Sequence, residues 1–218
     1  MRHVFVETNW IVDYAAPAHH QLPAAVELLK RAGSGELKLY LPSICVSESW
    51  RPLQKKISEV RSEADHVRKF LIWAKSEGIV TKGEDDVTRP VLDRMESRVT
   101  TDLERLDKVF QELSEKAGLE IFDLTQEMLE KCTQLSYLGL GLGPFDQAIL
   151  SAVIVRAKQI SNEDGAADLA FCETDKDLQP WGKAGGREPL LRIYDEARIW
   201  VYSDFLLEAP PKPQNWEW

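Results

Sequence analysis

Val4-Phe5-Val6-Glu7-Thr8-Asn9 is the stretch on which the reading of this chain turns. His3 to Val6 is short, apolar and β-branched, the composition of a strand buried on both faces. An acid ends the run, and Thr8 or Asn9 is placed to cap a short helix through Tyr14, which Pro17 ends. A carboxylate at the carboxyl end of a buried strand points into the crevice where open α/β sheets bind ligands.

The same rhythm recurs along the chain. Leu22 to Arg31 carries Leu22, Ala25, Val26, Leu28 and Leu29 on one helical face and stops at Gly33-Ser34-Gly35. Leu37 to Leu41 is a second strand, closed by Pro42, with Ser43 as the next cap. Strands are also predicted over Leu119 to Phe122, Asp168 to Cys172 and Ile199 to Tyr202, with helices over Thr125 to Tyr137 and Phe145 to Ile160. The loop Gly139-Leu140-Gly141-Leu142-Gly143-Pro144 leads into the latter helix, and Gln179 to Pro189 reads as a surface loop. Strands alternating with helices give an α/β fold with a parallel sheet. Residues 53–118 differ: they are highly charged, with apolar residues recurring at three and four, including Ile57, Val67, Phe70 and Leu71, then Leu92, Met95, Val99 and Leu106. Two long amphipathic helices, broken over Gly78 to Pro90, predict an antiparallel hairpin inserted into one domain spanning 1–218, with 209–218 an irregular tail.

Bulk properties narrow the function classes. The 218 residues are 44% hydrophobic and 29% charged, enough apolar surface for a real core. A formal net charge of -9 argues against nucleic-acid binding driven by global charge, while leaving room for a local basic stripe. Cys45, Cys132 and Cys172 are odd in number and far apart, which suits neither a disulfide framework nor a zinc site. His3, His19, His20 and His66 show no metal-ligand spacing. With no apolar run of membrane-spanning length and no leader-like start, a cytoplasmic protein without a membrane partner is expected.

Three further acids sit as Glu7 does, beside apolar runs. They are Glu48 in Ser47-Glu48-Ser49, Asp146 in Pro144-Phe145-Asp146-Gln147-Ala148, and Asp175 in Thr174-Asp175-Lys176-Asp177. Singly, each has an ordinary explanation: a first-turn acid favoured by the helix dipole, an N-cap, or a turn bonded to its own backbone. Brought together, four carboxylates could not all stay ionised unless a cation neutralised them. The set therefore points to a divalent metal and to phosphodiester chemistry.

In this order the motifs resemble the PIN-domain ribonuclease family, which includes small toxin-like nucleases. Its members open with a strand ending in an acid followed by Thr or Ser and Asn, as in Val6-Glu7-Thr8-Asn9. A Glu on a later helix is matched by Glu48, and an Asp opening a long Ala- and Ile-rich helix by Asp146. A strand running into a turn with Thr and Asp is matched by Leu169 to Asp175. The match covers Val4 to Leu41, Ile44 to Trp50 and Leu119 to Leu207.

The resemblance implies a three-layer sandwich around a central, mainly parallel sheet, and a metal-dependent endoribonuclease. Glu7, Asp146 and Asp175 would hold one Mg²⁺ or Mn²⁺, with Glu48 binding it through water or helping with a second ion, and Asp177 as an additional acid. Thr8 and Thr174 would orient carboxylates by hydrogen bonding, and Asn9 would brace the first turn. Arg51, Lys55 and Lys56 open the most basic stretch and are the expected RNA phosphate contacts. The family's first acid is usually Asp; the extra methylene of Glu7 moves its carboxylate by about 1.5 Å, where metal sites tolerate about 0.2 Å. That departure favours a rival reading, a catalytically weak PIN-like module that binds RNA or protein. A DNA-directed nuclease is a third reading, and an antitoxin, another protein partner or a homodimer through the hairpin stay open as partners.

Overall fold

A computed structural model describes residues 1–17, 20–182 and 185–208; His19 and the predicted tail 209–218 lie outside the described residues. All five predicted strands are present: β1 (Arg2–Val6), β2 (Leu37–Pro42), β3 (Leu119–Phe122), β4 (Asp168–Cys172) and, last in the chain, β7 (Ile199–Tyr202). They form one sheet in the order β3-β2-β1-β4-β7, with every neighbouring pair parallel. Val4, Phe5 and Val6 of the central strand are wholly buried, as are Ala170, Phe171 and Cys172 beside them.

From β1 the chain steps outward to β2 and β3, then crosses back to β4 on the other side of β1 and on to β7. Right-handed crossovers run in opposite directions put their helices on opposite faces of a sheet. Accordingly α1 (Thr8–Ala15) and α2 (Pro23–Gly33) belong to one face, and α5 (Gln126–Ser136), α6 (Pro144–Glu163) and α7 (Glu188–Glu196) to the other. On the second face, the Arg156 guanidinium of α6 lies 5.7 Å from the Tyr40 ring, and the Tyr194 ring of α7 lies 6.2 Å from that of Phe171. The two directions diverge between β1 and β4. That gap, at the carboxyl ends of the strands, is where an open parallel sheet makes a ligand crevice.

Several local expectations need correction. Helix α1 is capped by Glu7 itself, not by Thr8 or Asn9: the Glu7 carboxylate accepts the Asn9 N–H. Pro42, with no side-chain capping bond, holds the cap position before α3 (Ser43–Ser76), and Ser43 is already helical. The stretch read as a loop over Gln179 to Pro189 contains a small antiparallel pair, β5 (Trp181–Gly182) and β6 (Gly185–Gly186), and α7 starts at Glu188.

The hairpin is built from α3 and α4 (Lys82–Leu113), and its turn is shorter than the predicted break. Thr81 and Glu84 form a reciprocal capping box that starts α4 early, so Pro90 lies inside the helix. Nor does the first helix begin with the hairpin at residue 53: α3 starts beside the sheet at Ser43 and runs outward as one element. A satellite cluster of Val12, Leu53, Ile57, Val99 and Leu106 welds the hairpin root to α1. Among the described residues no helix is long and apolar enough to cross a membrane.

Candidate functional site

Glu7 and Glu173 follow directly on paired strand ends, since Val6 stands opposite Cys172 in the β1/β4 register. Each carboxylate folds back onto its own chain in the same way. Glu7 Oε2 accepts the Asn9 N–H at 2.6 Å, and Glu173 Oε1 accepts the Asp175 N–H. Each also has its second oxygen buried and without a hydrogen-bond partner, Oε1 of Glu7 and Oε2 of Glu173. The two residues are 3% and 0% exposed, which makes them the most deeply buried carboxylates near the crevice.

Burial of this kind disfavours the ionised form. Burial pushes Glu7 up to about 8, with the charges of Asp175, Glu48 and Asp13 adding to it and the Asn9 N–H opposing it. Glu173 is driven well above the usual carboxylate range by burial and then by the charge of Glu7, with Asp175 and Asp146 contributing. Asp146, half-buried on the first turn of α6, is raised by burial and by Asp175, against the Gly143 N–H that its Oδ2 accepts at 3.3 Å. Each of these acids feels the others, so they belong to one electrostatic cluster.

Glu48, on the second turn of α3, is held by the Thr8 hydroxyl, which donates to its Oε2. This is the orienting role expected of Thr8. Thr174 is half-buried between Glu173 and Asp175. Asp175 is half-buried and its Oδ1 accepts the Asp177 N–H at 2.8 Å, while Asp177 is exposed on the outside of that turn. Cys45 is wholly buried nearby, and burial followed by the charge of Glu7 raises its thiol well above the usual range.

Two residues at the site were not singled out from the sequence. Glu173 obeys the rule that selects Glu7, an acid immediately after a buried strand, and that signal was present in Phe171-Cys172-Glu173. Arg187 had no local signal. Its guanidinium donates to the carbonyls of Lys176 (3.1 Å), Asp177 (2.6 Å), Gln179 (3.2 Å) and Leu140 (3.2 Å). It thereby ties the turn carrying Asp175 to the glycine-rich loop that leads to Asp146.

The expected phosphate contacts fare unequally. Lys56 is paired with Asp13 at 3.0 Å. Lys55 is exposed and lies 3.8 Å from Glu59, and Arg51 is exposed.

Among the described residues no three His, Cys, Asp or Glu side chains already form a set able to hold a metal ion. The arrangement supplies instead a two-carboxylate nucleus, Glu7 and Glu173, with Glu48, Asp146 and Asp175 close enough to act on it electrically. Its donors are all oxygen, and two of them are orphaned and buried, the donor chemistry of a hard divalent cation. Mg²⁺ in particular is commonly held by one or two carboxylates while keeping several waters. Compared with protein-family models, curated proteins and solved structures, the chain gives no match.

Proposed function

We propose that this chain is a divalent-metal-dependent ribonuclease of PIN type, with its site in the β1/β4 crevice. The observation that carries the reading is the matched pair Glu7 and Glu173, two buried carboxyls on adjacent strand ends, each with an oxygen that no group among the described residues satisfies. A Mg²⁺ or Mn²⁺ ion there would activate a water for in-line attack on a phosphodiester and offset charge on the leaving oxygen.

The chain's own groups then divide the work. Glu7 and Glu173 would bind, each with one oxygen fixed by the Asn9 or Asp175 N–H and the other left without a partner among the described residues. Glu48, oriented by Thr8, and Asp146, fixed to the Gly143 N–H, flank them from two different helices. Arg51 and Lys55, exposed on the helix that carries Glu48, would meet phosphates along the strand.

The test is Mn²⁺ calorimetry on wild type, Glu7→Gln, Glu173→Gln and Asp146→Asn, with cleavage of a mixed RNA pool and of matched DNA measured alongside. Binding and RNA cleavage lost together in the variants would support the nuclease. Faster cleavage of DNA would shift the substrate. Metal binding without cleavage of either would favour the binding module, the reading to which the backbone-bonded Glu7 lends weight.

A further inference from the structure

The two helices of the hairpin run antiparallel in a fixed register. Trp50 meets Phe110, Arg61 meets Thr100, Arg68 meets Asp93 and Glu96, and Lys75 meets Asp85. On α4 the buried positions Asp85, Leu92, Val99, Leu106 and Leu113 fall every seven residues, and on α3 Ile57 and Ala64 do the same. A seven-residue repeat is the seam of a coiled coil, and residues just after and just before the seam lie on opposite flanks. Arg68, Lys75, Arg89 and Glu96 all belong to one flank, where they form a ladder of ion pairs.

Among the described residues no ion pair crosses between α3 and α4 on the other flank, where Arg98 pairs with Asp102 within α4. There Phe70 and Trp73 of α3 stand at the level of Val91 and Val87 of α4, with Val67 and Met95 one step nearer the root. These six side chains are between 44% and 71% exposed, and the Phe70 and Trp73 rings touch at 5.6 Å between centroids. Together they expose roughly 600 Å² of apolar surface, the upper end of what the largest patch on a monomer shows.

We propose that this flank is the interface of a homodimer, in which two hairpins pack face to face as an antiparallel four-helix bundle. Covering the patch on both copies removes about 1,200 Å² from water, which reaches the size of a specific protein interface. A self-complementary two-fold contact needs only one such patch per chain. With about 1.5 Å of rise per residue, Glu48 lies about 33 Å from Phe70 along α3, so the two acidic crevices stand at opposite ends of an elongated particle. The inference does not depend on what those crevices do.

Sedimentation velocity and light scattering on the full chain at 1–100 µM decide it. The expected mass is twice 24.8 kDa, with small-angle scattering showing a rod-like particle. Phe70→Glu and Val91→Glu, each changing an exposed residue, should give monomers with unchanged far-UV circular dichroism. Ile72→Glu, at a residue 62% exposed on the ion-pair flank, should remain dimeric. A wild type that stays monomeric at 100 µM overturns the proposal, whatever other protein the patch binds. So does a folded Phe70→Glu or Val91→Glu chain that still dimerises, or an Ile72→Glu chain that does not.

Discussion

Without metal, the protein should lose stability as the pH rises from 5 to 8, and Glu7→Gln should remove the share of that loss that belongs to Glu7. The carboxyl of Glu7 ionises near 4.5 when solvated and near 8 in the fold. A group whose folded value is raised keeps its proton in the native state after the unfolded chain has released it. Stability is therefore full below about 4.5, falls with increasing pH, and levels off above about 8. Linkage between those two values gives a loss of about 3 kcal/mol between pH 5 and pH 8. Against a typical 5–15 kcal/mol for a whole domain that is a large fraction. Because Glu7 is 3% exposed, solvent screening does little to reduce it.

Gln at position 7 keeps a carbonyl oxygen to accept the Asn9 N–H and cannot ionise, so the Glu7 contribution vanishes while the cap survives. Urea unfolding in chelator at pH 5, 6, 7 and 8 gives the two curves directly. The variant should fall by about 3 kcal/mol less than the wild type, the slope that it keeps belonging to Glu173 and Asp146. Adding Mn²⁺ at pH 8 should restore the wild type, because a cation stabilises the ionised pair, and should do little for the variant. A wild-type curve that is flat or rising over this range in chelator would refute the reasoning, as would a variant that tracks the wild type.

Three other substitutions probe the scaffold of the site. Thr8→Val removes the hydroxyl that orients Glu48, and Mn²⁺ affinity measured by calorimetry should fall about 10–100-fold with the melting transition retained. Arg187→Ala releases the Asp175 turn from the Gly139–Gly143 loop; hydrogen exchange should quicken at residues 174–179 and 140–143 together, and Mn²⁺ affinity should fall about tenfold. Gly118→Ala would put a methyl 2.2 Å from the Ala32 carbonyl oxygen at a residue with φ of +80°, so chemical unfolding should show a loss of about 3 kcal/mol or more.

The sheet was legible because parallel strands buried on both faces are written as short continuous apolar runs. Arg2–Val6 and Asp168–Cys172 could hardly be anything else. Their order was not legible, since nothing local in β3 says that the next strand will pair on the far side of β1. Boundaries failed where side chains act over a distance. Pro90 reads as a break, yet the Thr81–Glu84 capping box starts α4 eight residues earlier and keeps the proline in the helix. Around the acids, Glu7, Glu48 and Asp146 carried signals in their flanking residues. Glu173 was masked by Asp175 two places on, because the resemblance directs attention to the turn and away from the strand end. Arg187 could not be found at all: its partners are backbone carbonyls on two loops, which leave no mark in composition or period.

The extra methylene of Glu7 looks like a defect when the β1 end is considered alone. Beside β4 it has a counterpart. Strands β1 and β4 are in register, and each ends in Glu rather than Asp. Each Glu spends one oxygen on the N–H two residues ahead, a bond that turns the side chain back toward its own backbone. The other oxygen of each is left buried and without a partner among the described residues. The lengthening is thus matched on two adjacent strand ends, and it comes with two backbone clamps. On this account Glu7 is one half of a preorganised pair, and its departure from Asp is understood only together with Glu173.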